Sequence, residues 1–239
     1  MPKFTMDNNL GSRTPDRINE QDFLVLKSNG YQSGNSDLRT VKCPIASLFK
    51  IVIAFGALES GELAINEELD CNDTLPITGK CRLNIREALF YSSNDFFKQL
   101  TTRLTLKVLI DAMQYLHLPS SLINEEHFPN EWSDLWMGAG IQVTPLEVFC
   151  LTERLAHMAE TNEHQSFIGA LESLDEKREA RVFRKTGTWG GAAWCTGFSM
   201  DRRNGAVQEI ATILIRYTVP NWQPAHCRAI EEFQRELPT

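Results

Sequence analysis

Apolar and polar positions divide the chain into three stretches of different texture. Near the front, Phe23-Leu24-Val25-Leu26 reads as a strand, Asn29-Gly30 as a turn, and Leu38 to Val41 as a second strand, so the pattern predicts an N-terminal hairpin. The middle is helical. Leu48 to Leu58 is strongly apolar and closes near Gly61, and Asn84 followed three residues later by Glu87 forms a capping signal before Ala88-Leu89-Phe90. Thr144-Pro145-Leu146-Glu147 sets a capping Thr, a Pro at the first helical position and a Glu at the third, which predicts a helix over about 145–159. In the last third, Val182-Phe183, Ala192 to Phe198 and Ile210 to Tyr217 are strand-like and separated by Gly-rich and Arg-Asn-Gly turns, and Pro224 to Leu237 reads as a closing helix.

This order predicts an α+β fold, an α/β/α-like sandwich. A central antiparallel sheet of about five strands is assembled from both chain ends, with an all-helical insertion. No repeat, low-complexity tract or linker interrupts the 239 residues, so a single domain over 1–239 is expected, its sheet part at about 23–46 and 180–239 and its helical part at about 47–179. Hydrophobic residues at 42% and charged residues at 23% suffice for a sizeable core without metal or disulfide staples. A net charge of −7 has the wrong sign for neutralising phosphates, so nucleic acid and anionic membrane are not expected partners.

The apolar stretch Ile51–Leu58 is far short of the roughly 20 residues that span a bilayer, so no transmembrane segment is expected. Residues 1–22 are polar and lack the apolar middle of a secretory leader, which leaves a cytosolic chain or one whose leader is absent. The six cysteines show no C-x-x-C and the five histidines no HExxH, so no metal and no cofactor are expected. Cys71 and Cys81 bracket a loop with Pro76 and Gly79 and are either a pair or two unrelated thiols; a pair would fit an extracytoplasmic home.

Candidate chemistry begins at Ser47-Leu48-Phe49-Lys50, where a serine at a helix start feels the positive end of the dipole and a lysine shares its face one turn on. If burial and nearby cations hold Lys50 partly neutral, it can take the serine proton. Alone, S-x-x-K is expected about once by chance in a chain of this size. Two further patterns follow in order: Ser92-Ser93-Asn94 at a break between helices, and Lys185-Thr186-Gly187 on a strand.

Together with Gly138-Ala139-Gly140 and Thr144-Pro145-Leu146, these motifs resemble the S-x-x-K, S-x-N and K-T-G set of the penicillin-binding proteins and serine β-lactamases. The resemblance runs from about Phe23 to about Glu236, nearest to a penicillin-binding transpeptidase domain of compact, class D-like size. It implies that Ser47 is an acylated nucleophile, Lys50 its proton acceptor, Ser92 a proton relay to the leaving amine, and Asn94 a hydrogen-bonding partner of Lys50 and the substrate amide. It further implies that Lys185 attracts a substrate carboxylate with the hydroxyls of Thr186 and Thr188, that the N–H groups of Ser47 and Thr188 form an oxyanion hole, and that Trp189 is a pocket wall. Gly187 is read as leaving room for a substrate along the strand edge. Trp132, Trp136 and Trp194 are read as packing, Cys43 as a small buried residue, and His157 and His164 as helix-surface residues.

The implied substrates are D-Ala-D-Ala-like peptides and β-lactams. The implied function is a DD-transpeptidase or carboxypeptidase, with a class D-like β-lactamase, a β-lactam sensor, or a peptide-tailoring amidase, esterase or cyclase as alternatives. Glu125, Glu126 and Glu131 lie where class A enzymes keep a water-activating glutamate, but none has that setting. Asn94 beside Lys50 makes the lysine pocket polar, unlike class D.

Overall fold

The computed structural model describes residues 22–73, 79, 81–123, 132–138, 140–174, 180–218 and 222–237, with the backbone alone at 132–134. The chain opens with β1 (Phe23–Lys27), turns at Gly30, where φ is +78°, and returns as β2 (Gln32–Gly34). After the short β3 (Cys43–Pro44), a 3-10 turn, Ala46–Phe49, runs into α1 (Lys50–Glu59). Next come β4 (Leu69–Asp70), β5 (Arg82–Leu83), α2 (Ile85–Phe90), α3 (Asn94–Thr101) and α4 (Leu106–Tyr115). A 3-10 segment, Trp132–Met137, precedes β6 (Gln142–Val143), α5 (Pro145–Glu160) and α6 (Gln165–Leu171). The chain closes with β7 (Ala180–Trp189), β8 (Ala192–Asp201), β9 (Val207–Arg216) and α7 (Trp222–Glu236).

The main sheet runs β2-β1-β9-β8-β7, every neighbour antiparallel, so strands from the two chain ends meet at the β1–β9 pair. Period-two alternation splits its faces. Leu24, Leu26, Phe183, Trp194, Phe198 and Leu214 join the core shared with the helical part, while Val25, Val182, Cys195, Ile213 and Ile215 pack with Ala225, Ala229 and Phe233 of α7. This is the expected sandwich, helices on both faces of one antiparallel sheet. β8 is covered on both sides, which is why its run from Ala192 to Met200 is buried throughout.

Both predicted capping boxes form: Asn84 and Glu87 exchange side-chain bonds at α2, and Thr144 and Glu147 at α5. The predicted strand over Leu38–Val41 does not form. Asn35 instead accepts from the Asp37 N–H and starts a 3-10 turn, Ser36–Thr40, that buries Leu38. Leu38 and Val41 are three residues apart, the spacing of one turn rather than of a strand face. The second strand of the hairpin is Gln32–Gly34. The helical part also carries two short ladders that the pattern does not announce, β3 with β6 and β4 with β5. No helix among the described residues is long and apolar enough to cross a membrane.

Candidate active site

The three motifs sit on separate elements that meet where the edge strand β7 faces the helical part. Ser47 is half-buried in the Ala46–Phe49 turn, and Lys50 is the first residue of α1, fully buried. Ser92 occupies the break between α2 and α3 in the left-handed region, φ +56°, a position that costs a non-glycine residue about 1–3 kcal/mol. Ala46, immediately before Ser47, is left-handed as well, φ +52°. Strain thus flanks two of the three motifs.

Hydrogen bonds knit Lys50, Ser92, Asn94 and Lys185 into one array. Lys50 Nζ donates to the Ser92 carbonyl oxygen at 2.7 Å, Ser92 Oγ at 3.2 Å and Asn94 Oδ1 at 2.7 Å. Lys185 Nζ donates to Ser92 Oγ at 2.9 Å and to its neighbour's carbonyl, Thr186 O, at 2.8 Å. Ser92 Oγ therefore lies between two lysines, and its own proton is free to point elsewhere. Burial, then the Lys185 charge, push the Lys50 pKa down to about 6, with Asp73 opposing; burial pushes Lys185 down to about 7. Near neutral pH the array holds an amine able to accept a proton beside one able to remain charged.

The penicillin binding protein transpeptidase domain model matches residues 16–189. The chain belongs to that family. A search of curated proteins finds no match. Among solved structures, the transpeptidase-family chain is similar in fold to a class D β-lactamase from Fusobacterium nucleatum subsp. polymorphum, with TM-score 0.67, 17% identity, and 89% of this chain and 90% of that chain covered. It is similar to the C-terminal domain of the Bacillus licheniformis BlaR penicillin-receptor, with TM-score 0.66, 20% identity, and 89% and 88% covered. A class D β-lactamase from Sebaldella termitidis gives TM-score 0.69 at 15% identity, with 90% and 89% covered.

Alternation along β7 sorts the third motif of this transpeptidase-family site. Lys185 and Gly187 face the helical part, and Thr186 and Thr188 lie on the α7 side. A Cβ on Gly187 would stand 3.1 Å from Leu48 N and 3.2 Å from Ile45 O. The glycine therefore lets β7 approach the turn that carries Ser47, rather than clearing room for a substrate alone. Gly138 does the same from the other side: its Cβ would stand 2.6 Å from Ala46 O, and its φ of +66° suits glycine. Trp189 ends the strand with 57% of its surface exposed. Trp194 is buried and donates from Nε1 to Pro44 O at 2.8 Å, Cys43 is buried, His157 is exposed on α5, and His164 is half-buried at the start of α6, bonded to Glu59 and Tyr115.

Three contributors were not legible as site residues. Asp73 Oδ1 accepts from Ser93 Oγ at 2.8 Å, and its Oδ2 accepts from the Asn94 N–H at 2.7 Å and the Asp95 N–H at 3.3 Å. It thereby caps the positive end of α3 and fixes the turn that presents Ser92 and Asn94. Trp136, read as packing, holds its ring 5.6 Å from Lys50 Nζ, and Phe97 lies at 5.4 Å from the same atom; the buried Trp136 indole N–H has no partner among the described residues. His226 of α7 shares a 2.8 Å hydrogen bond with Thr188 Oγ1. No local motif marks any of the three, since each acts through a distant element.

Cys71, Asp73 and Asp95 bring possible metal-ligand atoms within 4.8 Å of one another. Both carboxylates already accept hydrogen bonds, Asp73 as above and Asp95 Oδ2 from the Asn72 N–H at 2.7 Å and Gln99 Nε2 at 3.2 Å. Cys71 and Cys81 are free thiols joined by a backbone bond, Cys71 N–H to Cys81 O at 2.6 Å. Glu125, Glu126 and Glu131 lie outside the described residues.

Proposed function

We propose that the chain is an acyl-serine enzyme of DD-transpeptidase or carboxypeptidase type, acting on D-Ala-D-Ala-like peptides and acylated by β-lactams. The observation that carries this reading is the Lys50–Ser92–Lys185 array, three sequence-distant motifs sharing one hydroxyl. Neutral Lys50 takes the proton of Ser47 Oγ as that oxygen bonds to the substrate carbonyl carbon. The N–H groups of Ser47 and Thr188 hold the developing oxyanion. The C–N bond then breaks, and the proton passes through Ser92 to the departing amine. Asn94 orients Lys50 and the substrate amide, while Lys185, Thr186 and Thr188 receive a substrate carboxylate and Gly187 and Trp189 border it. An amine or water then takes the acyl group from Ser47.

Intact-mass measurement after incubation with benzylpenicillin tests the reading: an adduct on wild type and none on Ser47→Ala is expected, and equal labelling of both overturns it. A second reading, β-lactam hydrolysis, takes its support from the class D β-lactamases of similar fold. It requires an activated water, and Asn94 Oδ1, the oxygen held by Lys50, leaves that lysine in polar surroundings. The adduct is therefore expected to persist for minutes or longer; release within seconds would put hydrolysis first.

A further inference from the structure

Thr188 ends the run of motif residues on β7, half-buried on the edge strand, and its hydroxyl is already engaged by a side chain from α7, the helix that covers the same face of the sheet. His226 lies on the first turns of α7, half-buried, and feels the charges of Lys185 and Arg184 on the strand it covers. A hydroxyl carries one proton, so the 2.8 Å contact admits two arrangements. In one, Thr188 donates to an unprotonated Nδ1 and offers a substrate only lone pairs. In the other, Nδ1–H donates to Thr188, and the hydroxyl proton is free to meet an acceptor. A carboxylate is satisfied only by the second.

We propose that His226 is a positioning residue that sets the direction of the Thr188 hydroxyl and so tunes the site toward acyl donors bearing a carboxylate. The proposal rests on the acyl-serine reading above. An arriving carboxylate draws the Thr188 proton toward itself, and His226 follows by presenting Nδ1–H, either by tautomer exchange or by taking a proton from solvent. Burial, then the charges of Lys185 and Arg184, disfavour the imidazolium in the free protein; a bound carboxylate offsets those charges. A neutral ester at the same position exerts no such pull.

The test compares acylation of Ser47 by benzylpenicillin and by its methyl ester, using intact mass to obtain the second-order rate constant for each. His226→Leu is expected to lower the ratio of free-acid to ester rates by about tenfold, the size of one hydrogen bond to a charged group. His226→Asn, whose amide N–H stands near the place of Nδ1, is expected to restore most of that ratio. Thr188→Val is expected to lower it as well, with His226→Leu adding little on top. A purely structural tie between β7 and α7 would slow both probes alike. A ratio within twofold of wild type in His226→Leu overturns the proposal while the Ser47 adduct keeps the acyl-serine reading intact. Absence of any adduct on wild-type Ser47 overturns both.

Discussion

Lys27 and Lys50 carry the same ammonium group into poorly hydrated surroundings, where the protein surrounds them in opposite ways. Lys27, on β1, has a side chain only 13% exposed and forms ion pairs with Glu209 at 3.1 Å and Glu236 at 3.3 Å. Burial alone would lower its pKa, but hydrogen bonds and attraction from these two carboxylates outweigh it and hold the value above 10.5. Lys50 meets neutral oxygens instead, two from Ser92 and one from Asn94, and shares Ser92 Oγ with a second buried cation. Its pKa falls to about 6. Opposite charges make a buried lysine a tie between β1, β9 and α7; burial with neutral acceptors and a like charge leaves it free to shed its proton near neutral pH.

Replacing Lys50 by arginine breaks this comparison most severely. Arginine keeps the charge and part of the hydrogen bonding but cannot shed its proton near neutral pH. Acylation of Ser47 is expected to fall by about 10²–10⁴, the usual worth of a positioned general base. Near wild-type labelling of Lys50→Arg by intact mass would make Lys50 a fixed cation like Lys27.

The pH profile of acylation comes next. A base with a pKa of about 6 loses roughly tenfold in its neutral form between pH 7 and pH 5, so the rate is expected to drop by about that factor. With Lys185 at about 7, a descending limb is expected above neutrality, where the cation proposed to meet the substrate carboxylate is lost. The two lysines share Ser92 Oγ, so the limbs belong to the pair rather than to either residue. A flat profile from pH 5 to 9 would remove both roles. Asp73→Asn sharpens the point, because Asp73 is the carboxylate whose field raises the Lys50 pKa. The variant is expected to move the acid limb to lower pH, about threefold in rate at pH 5.5 relative to the plateau. An unmoved limb would confine Asp73 to capping α3.

The difference between the two lysines was only half visible in the amino-acid sequence. Ser47, Lys50, Ser92, Asn94 and Lys185 stand in short motifs whose order could be read, and the strands around Lys185 follow from apolar stretches separated by Gly-rich and Arg-Asn-Gly turns. What makes Lys50 unlike Lys27 is its set of partners, and partners come from tertiary contact. Asp73 reaches α3 from an earlier segment, Trp136 reaches Lys50 from a 3-10 segment, and His226 reaches Thr188 from the C-terminal helix. None has a local signature of period or cap. The missed turn at Ser36–Thr40 has the complementary cause. Leu38 and Val41 looked like strand residues by type, whereas the Asn35 side chain and their three-residue spacing favour a turn.

The smallest expected effect concerns stability, where the two lysines should respond to pH with opposite sign. Folded Lys27 has a pKa above its ordinary 10.5, so its contribution is fully present below 10.5 and is lost as pH rises through the higher folded value. Lys27→Met is therefore expected to lower Tm by about 2–4 °C, the equivalent of roughly 1 kcal/mol in a chain of this size, by a constant amount from pH 7 to 9 and with acylation of Ser47 unchanged. Folded Lys50, at about 6, releases its proton while an unfolded lysine keeps it to about 10.5. Between those values the unfolded state binds more protons, so stability rises with pH. Lys50→Met should remove part of that rise, so that its Tm gains fewer degrees than wild type between pH 6.5 and 9. Calorimetric scans of the three proteins across that range decide the matter: parallel curves for wild type and Lys50→Met would mean that Lys50 stays charged in the fold, and the contrast with Lys27 would collapse.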